Sequence, residues 1–485
     1  MTTRPFLVHR SIIADTETPV SAMLKLGQSG RGDFLLESVE GGATRGRYSL
    51  IGLAPDLVFR ATGSHAEINR HWQTDPAAFV PCEDDSLTAL RGLVAACRME
   101  VPPELPSTLA CLVGYLGYET IGLVEKLSVP AADPIGVPDM IFVRPTLILV
   151  FDRLKDELFL VAPVFPDGQS EEAALERIEA AAARLAQPLP AIQSQPELAD
   201  LPDAQPALAA DDYANMVATA KNYIAAGDIF QVVLAQRFTI DFPLPPMALY
   251  RALRRVNPSP FLYYLDLPGF ALIGSSPEIL VRVRDNEVTI RPIAGTRPRG
   301  RTALEDAENR ASLLADPKEL AEHLMLLDLG RNDVGRVSSP ASVKVTDSHM
   351  VEFYSHVMHI VSNVRGTLSP DKDAIDALLA GFPAGTVSGA PKVRACEIIA
   401  ELEPEKRGPY AGGVGYFSPD GSMDSCIILR TGLLKDGVLH VQAGAGIVAD
   451  SDPAYEQREC EAKSGALFAA AREAVRRARE PGYGQ

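Results

Sequence analysis

The sequence predicts a mixed α/β protein of the α+β type. Three observations point there. Up to about residue 165 the chain reads mostly as short apolar or alternating runs bounded by turn residues, the pattern of strands. Beyond about residue 210, strand-like runs are interleaved with longer segments whose apolar residues recur at helical spacing. Between them, residues 187–210 are rich in Pro, Gln and Ala, which marks a linker. The expected division is an N-terminal region over 1–186, a linker over 187–210 and a second domain over 211–485.

Taken in order, 47–52 and 56–60 read as strands parted by a turn at Pro55. Residues 140–150 and 157–164 read as a hairpin around 152–156. The alanine-rich stretch 171–186 reads as a helix, and another is expected to start near Asp211 and Asp212, acids that favour a helix N-terminus. Residues 288–293 read as a strand. Residues 318–329 carry Leu320, Leu324 and Leu327 at helical spacing. Residues 426–431 read as one buried strand and 438–441 as another. The final helix spans about 454–479, with acids early and Arg472, Arg476, Arg477 and Arg479 late, which suits the helix dipole.

A chain of 485 residues is long enough for two domains. No apolar run approaches the roughly 18 residues of a membrane span. Met1-Thr2-Thr3-Arg4-Pro5 lacks the apolar core of a signal peptide, so a cytoplasmic location is expected, with no membrane partner. A net charge of −17 argues against nucleic acid as partner, yet leaves room for a locally positive pocket. The six cysteines, Cys82, Cys97, Cys111, Cys396, Cys426 and Cys460, form no CxxC pair. Reduced, mostly buried thiols are expected rather than zinc sites or disulfides.

Several constellations carry chemistry. Glu456, Glu459 and Lys463 lie at i, i+3 and i+7 of the final helix, and Leu467, Ala470 and Ala474 continue the same face. That face either turns its charged end inward toward a metal, or presents a solvated Glu–Lys pair. Glu319, Glu322 and His323 share another helix, and carboxylates from two helices suit a hard cation such as Mg²⁺. Arg430, at the end of an apolar run, needs an anion: a substrate carboxylate and a structural salt bridge both serve. Gly444-Ala445-Gly446 offers either a close backbone approach to an anion or a plain turn. Residues 385–392 fail as a P-loop, because Pro391 precedes Lys392 and no Ser or Thr follows. Ser388 lacks the GxSxG setting of a nucleophile.

Taken together, certain segments resemble the chorismate-utilising enzymes, most closely the family of anthranilate synthase large subunits (component I). They are Gly227-Asp228-Ile229-Phe230-Gln231, Ser276-Pro277-Glu278, Pro292-Ile293-Ala294-Gly295-Thr296-Arg297-Pro298-Arg299, Glu319-Leu320-Ala321-Glu322-His323, Asp328-Leu329-Gly330-Arg331-Asn332-Asp333, the 385–392 segment and Gly444-Ala445-Gly446. The resemblance spans nearly the whole chain. It implies a large antiparallel β-sheet assembly with outer helices, whose N-terminal, regulatory part is interwoven with the chorismate-binding catalytic part.

The resemblance also implies roles. Glu322 and Glu459, helped by Glu319 and Glu456, hold Mg²⁺ against the ring carboxylate of chorismate. Tyr410, Arg430, Gly444, Ala445, Gly446 and Lys463 bind the substrate, and Gly295 and Thr296 line the ring pocket, with Thr296 counted among the catalytic residues. Glu278 is the general acid for the departing C4 hydroxyl, and His359 assists loss of pyruvate. Glu37, Ser38, Pro260, Phe261 and Leu262, with Cys426 nearby, resemble the family's site for L-tryptophan as feedback inhibitor.

The implied activity is a carbon–oxygen lyase of tryptophan biosynthesis. No glutaminase triad is recognisable, so a glutamine amidotransferase subunit (component II) is the expected partner, in a heterotetramer of two large and two small subunits. Within the family, aminodeoxychorismate synthases typically carry a nucleophilic Lys where this chain has Ala294, and isochorismate synthases a Lys base where it has Gln231. An aminodeoxychorismate synthase, and a non-catalytic amino-acid sensor on the same fold, are the alternatives. Cys460, beside Glu459, stands where the family usually has Thr.

Overall fold

Among the described residues two twelve-stranded sheets carry the molecule, and each is built from both halves of the chain. The computed structural model describes residues 4–40, 44–106, 108–128, 130, 132–354 and 357–480. Residues 1–3, part of the segment read for a signal peptide, lie outside it. The first sheet runs from edge strand Phe6–Ile13 through Glu157–Val164, Leu147–Asp152, Thr44–Leu53 and Asp33–Glu40. It continues through Phe261–Leu267, Phe270–Ser276, Thr431–Lys435 and Val438–Ile447 to Gln231–Asp241. The second runs from Ile293–Pro298 through Val357–Thr367, Glu287–Ile290, Ile279–Arg284, Met423–Ile427 and Gly413–Phe417. It ends in the N-terminal strands Leu112–Leu116, Met140–Arg144, Leu57–Thr62, His65–Asn69 and Val80–Pro81. The joins between halves are antiparallel: Asp33–Glu40 pairs with Phe261–Leu267, and Leu112–Leu116 with Gly413–Phe417. The interweaving implied by the resemblance is therefore present in both sheets. One contiguous apolar core draws on both, including Phe34, Leu50 and Ile148 of the first and Phe59, Val113 and Phe142 of the second.

Four short segments pass from one sheet to the other, and they correct two strand expectations. Residues 140–150 are two strands in different sheets, broken at Pro145, which has no N–H for a ladder. Only Leu147–Asp152 and Glu157–Val164 form the hairpin. Residues 426–431 are likewise divided. Met423–Ile427 belongs to the second sheet, Thr431–Lys435 to the first, and Arg430 turns between them with φ of 48°. Residues 54–56 and 277–278 cross in the opposite direction. In the N-terminal half the crossovers are tied together: Arg144 forks onto Asp56 with two bonds of 2.9 Å and reaches Asp167 at 3.1 Å. The equivalent acid and arginine of the C-terminal half are Glu278 and Arg430.

Helix Pro453–Ala478 packs on Pro246–Val256, Ala210–Ala226 and strand Val438–Ile447. Its inner face is Leu467, Ala470 and Ala474, as the sequence pattern predicts. Helix Pro317–Gly335 lies on strands Ile293–Pro298 and Val357–Thr367. Asp316 and Asp452 cap these two helices, each accepting backbone N–H bonds of the first turn. Among the described residues no helix is long and apolar enough to cross a membrane. The six cysteines are free thiols, five of them buried, as expected.

Candidate active site

The two capped helix starts, strand Ile293–Pro298 and the two C-terminal crossovers enclose a cleft of about 860 Å³. Glu278, Gly295, Thr296, Glu319, Glu322, His359, Arg430, Gly446, Glu456, Glu459 and Lys463 all line it. These residues span almost 190 positions of sequence, and the sheet topology brings them to one place. Ala294 and Gln231 line it too.

Glu278 sits on the 277–278 crossover and is 7% exposed. Its backbone carbonyl accepts the Ile427 N–H at 3.0 Å, which fixes it to the neighbouring crossover. The Thr386 hydroxyl lies 3.0 and 3.1 Å from its two carboxylate oxygens. Burial pushes its pKa up to about 8, against the opposing pull of the Thr386 hydrogen bond and the Arg430 charge. At neutral pH this carboxyl holds its proton and can donate it.

His359 is the complementary group. Burial drives its pKa down to about 4, so the ring is neutral. Its Nδ1 lies 3.1 Å from the Gly295 carbonyl and 3.0 Å from Thr296 Oγ1. A carbonyl only accepts, so the hydrogen-bond pattern assigns the ring proton to Nδ1 and leaves Nε2 a base. Gly295 forms a bulge at φ of 74°, where the pairing with Val357–Thr367 slips. A Cβ there would stand 3.1 Å from Glu319 Oε2 and from Ile360.

The acids face each other across the cleft. Burial and then the neighbouring charge of Glu319 raise the pKa of Glu322. Glu456 is raised by burial and, in smaller part, by Glu459. Arg297 holds Glu319 at 2.8 Å and Lys463 holds Glu459 at 2.7 Å. In the final helix Glu456 is buried, and the Glu459–Lys463 pair forms while lining the cleft. Among the described residues no three potential metal ligands converge on one point. The donor set is nevertheless all oxygen and mutually repulsive, with the buried Gln231 Oε1 lacking a partner, which fits a hard divalent cation.

Arg430 lines the cleft, and among the described residues no ion pair or side-chain hydrogen bond engages its guanidinium. Burial lowers its pKa, and among the described residues Tyr354 and Glu278 oppose this. A protonated Glu278 supplies no countercharge. Arg430 is therefore a partly buried cation open to an anion, and the structural salt bridge left open by the sequence is not formed.

Three expected residues stand behind the wall. Ala445 is fully buried and Tyr410 is buried beside Gly444, where a Cβ would come 2.9 Å from the Tyr410 hydroxyl. The turn considered for 444–446 is not found. These residues lie inside the continuous strand Val438–Ile447, their backbone paired with Val233, Leu234 and Ala235. The glycines make room: a Cβ on Gly446 would meet Gln231 Nε2 at 2.5 Å. Lys463 Nζ donates to the Gly444 carbonyl at 2.9 Å. Cys460 packs away from the cleft, its Sγ 3.3 Å from the Tyr213 hydroxyl.

A second cavity, of about 760 Å³, is lined by Glu37, Ser38, Pro260, Phe261, Leu262 and Cys426 together. The Glu37 carboxylate is engaged by Arg153 at 2.5 Å, Arg254 at 2.6 and 3.0 Å and the Tyr250 hydroxyl at 2.7 Å. Burial alone would raise its pKa, but these partners, Arg254 first, hold it below the usual carboxylate value. Asp424 lines this cavity too, with a buried Oδ1 that has no partner. Pro277 and Ile293 line both cavities.

Sequence reasoning missed Thr386: residues 385–392 fail as a P-loop and carry the resemblance without a role for this hydroxyl. Its contact with Glu278 is made across 108 residues and leaves no local signal. The arginines after Thr296 were left without a role. Arg297 bridges Asp316 and Glu319, and Arg299 holds Asp306.

Residues 38–469 match the model of the chorismate binding enzyme family. The chain is 52% identical over 483 residues to anthranilate synthase component 1 of Cereibacter sphaeroides, covering 99% of this chain and 97% of that protein. It is 46% identical over 469 residues to the Thermus thermophilus protein of the same name, covering 96% and 97%. The crystal structure of anthranilate synthase component I from Streptococcus pneumoniae superposes with a TM-score of 0.78 at 38% identity, over 87% of this chain and 92% of that one. The chain belongs to the chorismate-binding enzymes, within the group of anthranilate synthase component 1 proteins.

Proposed function

We propose that this chorismate-binding enzyme converts chorismate and ammonia to anthranilate, pyruvate and water. The observation that carries this reading is the meeting, in one cleft, of a protonated Glu278, a partnerless Arg430 and four carboxylates at two helix starts.

Chorismate is a dianion with a leaving hydroxyl at C4. Arg430 meets one carboxylate, and Lys463, held at the Gly444 carbonyl, lies on the same cleft wall. Tyr410, Gly444 and Ala445 shape the wall from behind. Glu319, Glu322, Glu456 and Glu459 would hold Mg²⁺, which when bound neutralises a substrate carboxylate and fixes its orientation. Ammonia forms a bond to C2 as the two conjugated ring double bonds shift and the C4–O bond breaks. Glu278 delivers its proton to that oxygen, which leaves as water. Loss of the C2 proton and cleavage of the C3–O bond then release pyruvate and restore aromaticity. The neutral Nε2 of His359 suits this second proton transfer. Ala294 offers no amine to compete with ammonia at C2, which supports this product over aminodeoxychorismate.

Ammonia is supplied by a glutamine amidotransferase subunit, in a heterotetramer of two large and two small chains in the cytoplasm. L-Tryptophan binds in the second cavity, with its indole against Pro260 and Phe261. Glu37 is already neutralised, and Asp424, although its Oδ2 is held by Arg282 and Arg284 at 3.1 Å, keeps an unpartnered Oδ1 at the same cavity for the amino group.

The test is incubation of the chain with chorismate, Mg²⁺ and ammonium at alkaline pH, followed by anthranilate fluorescence. Folded protein that makes no anthranilate sinks the proposal; a non-fluorescent amino product would indicate aminodeoxychorismate synthesis.

A further inference from the structure

Beneath the cleft lies a charge that the reaction does not consume. Arg407 is 1% exposed, and its guanidinium makes four hydrogen bonds. Nε donates to Glu403 Oε2 at 2.8 Å, and Nη2 to Glu403 Oε1 at 2.6 Å and to the Val233 carbonyl at 2.7 Å. Nη1 donates to the Val387 carbonyl at 2.7 Å. The group lies over the Tyr118 ring at 4.6 Å and near that of Tyr410 at 5.7 Å. Glu403 Oε1 also accepts the Ala235 N–H at 2.8 Å.

Three of these partners support the cleft. Val233 lines it, two residues from Gln231. Val387 follows Thr386 directly, in the single turn Gly385–Val387, where regular structure offers its carbonyl no donor. Tyr410 backs Gly444. A buried ion pair is a poor device for stability alone, since apolar packing of the same volume does as well or better. It does fix geometry, because a guanidinium presents its donors in a rigid planar fork. Lysine, with three donors on one nitrogen, cannot reach two carbonyls and a carboxylate in that arrangement.

We propose that Arg407, braced by Glu403, is a positioning residue that holds Thr386 against Glu278 and so aims the proton donor. This rests on the reading of Glu278 as the general acid. Thr386 opposes the burial that raises the Glu278 pKa, while Arg430 from the second crossover acts in the same direction as Thr386. Among the described residues Tyr354 also lies near it, and His359 lines the same cleft. Loosening Thr386 therefore lets the Glu278 pKa rise further.

The test uses Arg407→Lys and Glu403→Gln in the full chain, with rates measured as a function of free ammonia. Expected are a kcat reduced about 10- to 100-fold, the scale of a misplacement near 1 Å, with a smaller change in KM for chorismate. The basic limb of the kcat–pH profile moves to higher pH, as it does in Thr386→Val. The double variant Arg407→Lys/Thr386→Val loses little beyond Thr386→Val alone. A profile that stays in place while the melting temperature falls, or fully additive losses, overturns the proposal. Should Arg407→Lys fail to fold, Glu403→Gln decides, and wild-type rates and profile in it overturn the proposal. Turnover by Glu278→Gln would instead overturn the acid reading itself.

Discussion

Thr386 holds its hydroxyl within 3.0 and 3.1 Å of the two carboxylate oxygens of Glu278. That contact sets both the direction and the acidity of the proton donor. Replacing Thr386 by Val removes a bond that lowers the Glu278 pKa, so the basic limb of the rate profile should move upward in pH. The rate itself should fall, because the carboxyl loses its orientation. An unmoved profile in folded Thr386→Val would deny the contact any part in catalysis.

Glu278→Gln keeps the shape and loses the proton. Turnover should fall by about 10² to 10⁴, the usual worth of a positioned acid, while chorismate binding measured by calorimetry stays within a few-fold. The pH dependence of stability has a definite sign. The folded pKa, about 8, lies above the ordinary carboxyl value of 4.5. The protonated group thus contributes stability that is fully present below 4.5 and lost as pH rises through 8. Glutamine cannot ionise, so above pH 8 the dead variant should melt at a higher temperature than the parent. The reverse order would show that Glu278 ionises freely in the folded chain.

Arg430→Lys keeps the charge and loses the planar fork. KM for chorismate should rise about tenfold or more, on the scale of a lost charge-assisted hydrogen bond, with a smaller change in kcat. A pure kcat effect at unchanged KM would mean that Arg430 does not bind the ground-state substrate.

Glu37→Ala would leave Arg153 and Arg254 as partly buried cations without their acid. Breaking such a network costs about 3–5 kcal/mol, to be read from chemical denaturation. The Glu37 pKa is lowered in the fold, so its contribution is present above the unfolded value of 4.5 and lost as pH falls through the folded one. A denaturation midpoint close to wild type at pH 7 would contradict this.

Much of this was visible in the sequence, for physical reasons that can be named. Glu456, Glu459 and Lys463 could be placed on one face because helical spacing is local and rigid, and the structure keeps them together on helix Pro453–Ala478. The helix carrying Glu319 and Glu322 was legible in the same way, although it continues to Gly335, beyond the expected Leu329. The crossovers were not legible. Residues 426–431 are apolar on both sides of the switch between sheets, so burial does not change where the partner strand does. Arg430 adopts φ of 48° without the glycine that normally announces such a turn. Gly444 and Gly446 misled in the opposite way. Glycine usually signals a turn, but here it leaves room in a strand for Tyr410 and Gln231, which approach from distant segments. Thr386, Asp424 and Arg407 act only through tertiary contacts, which no periodicity encodes.

The paired crossovers bear on how folding and binding are linked. In the N-terminal half, Arg144 and Asp56 close on each other, and whatever that attraction contributes is already part of the folded chain. In the C-terminal half Arg430 faces a neutral acid, so its attraction is withheld until an anion arrives. Ligand and fold are then thermodynamically linked: occupancy of the cleft adds to stability as the logarithm of ligand concentration. A substitution that gave Arg430 an acid of its own would mimic the closed half, hardening the protein while emptying it of affinity.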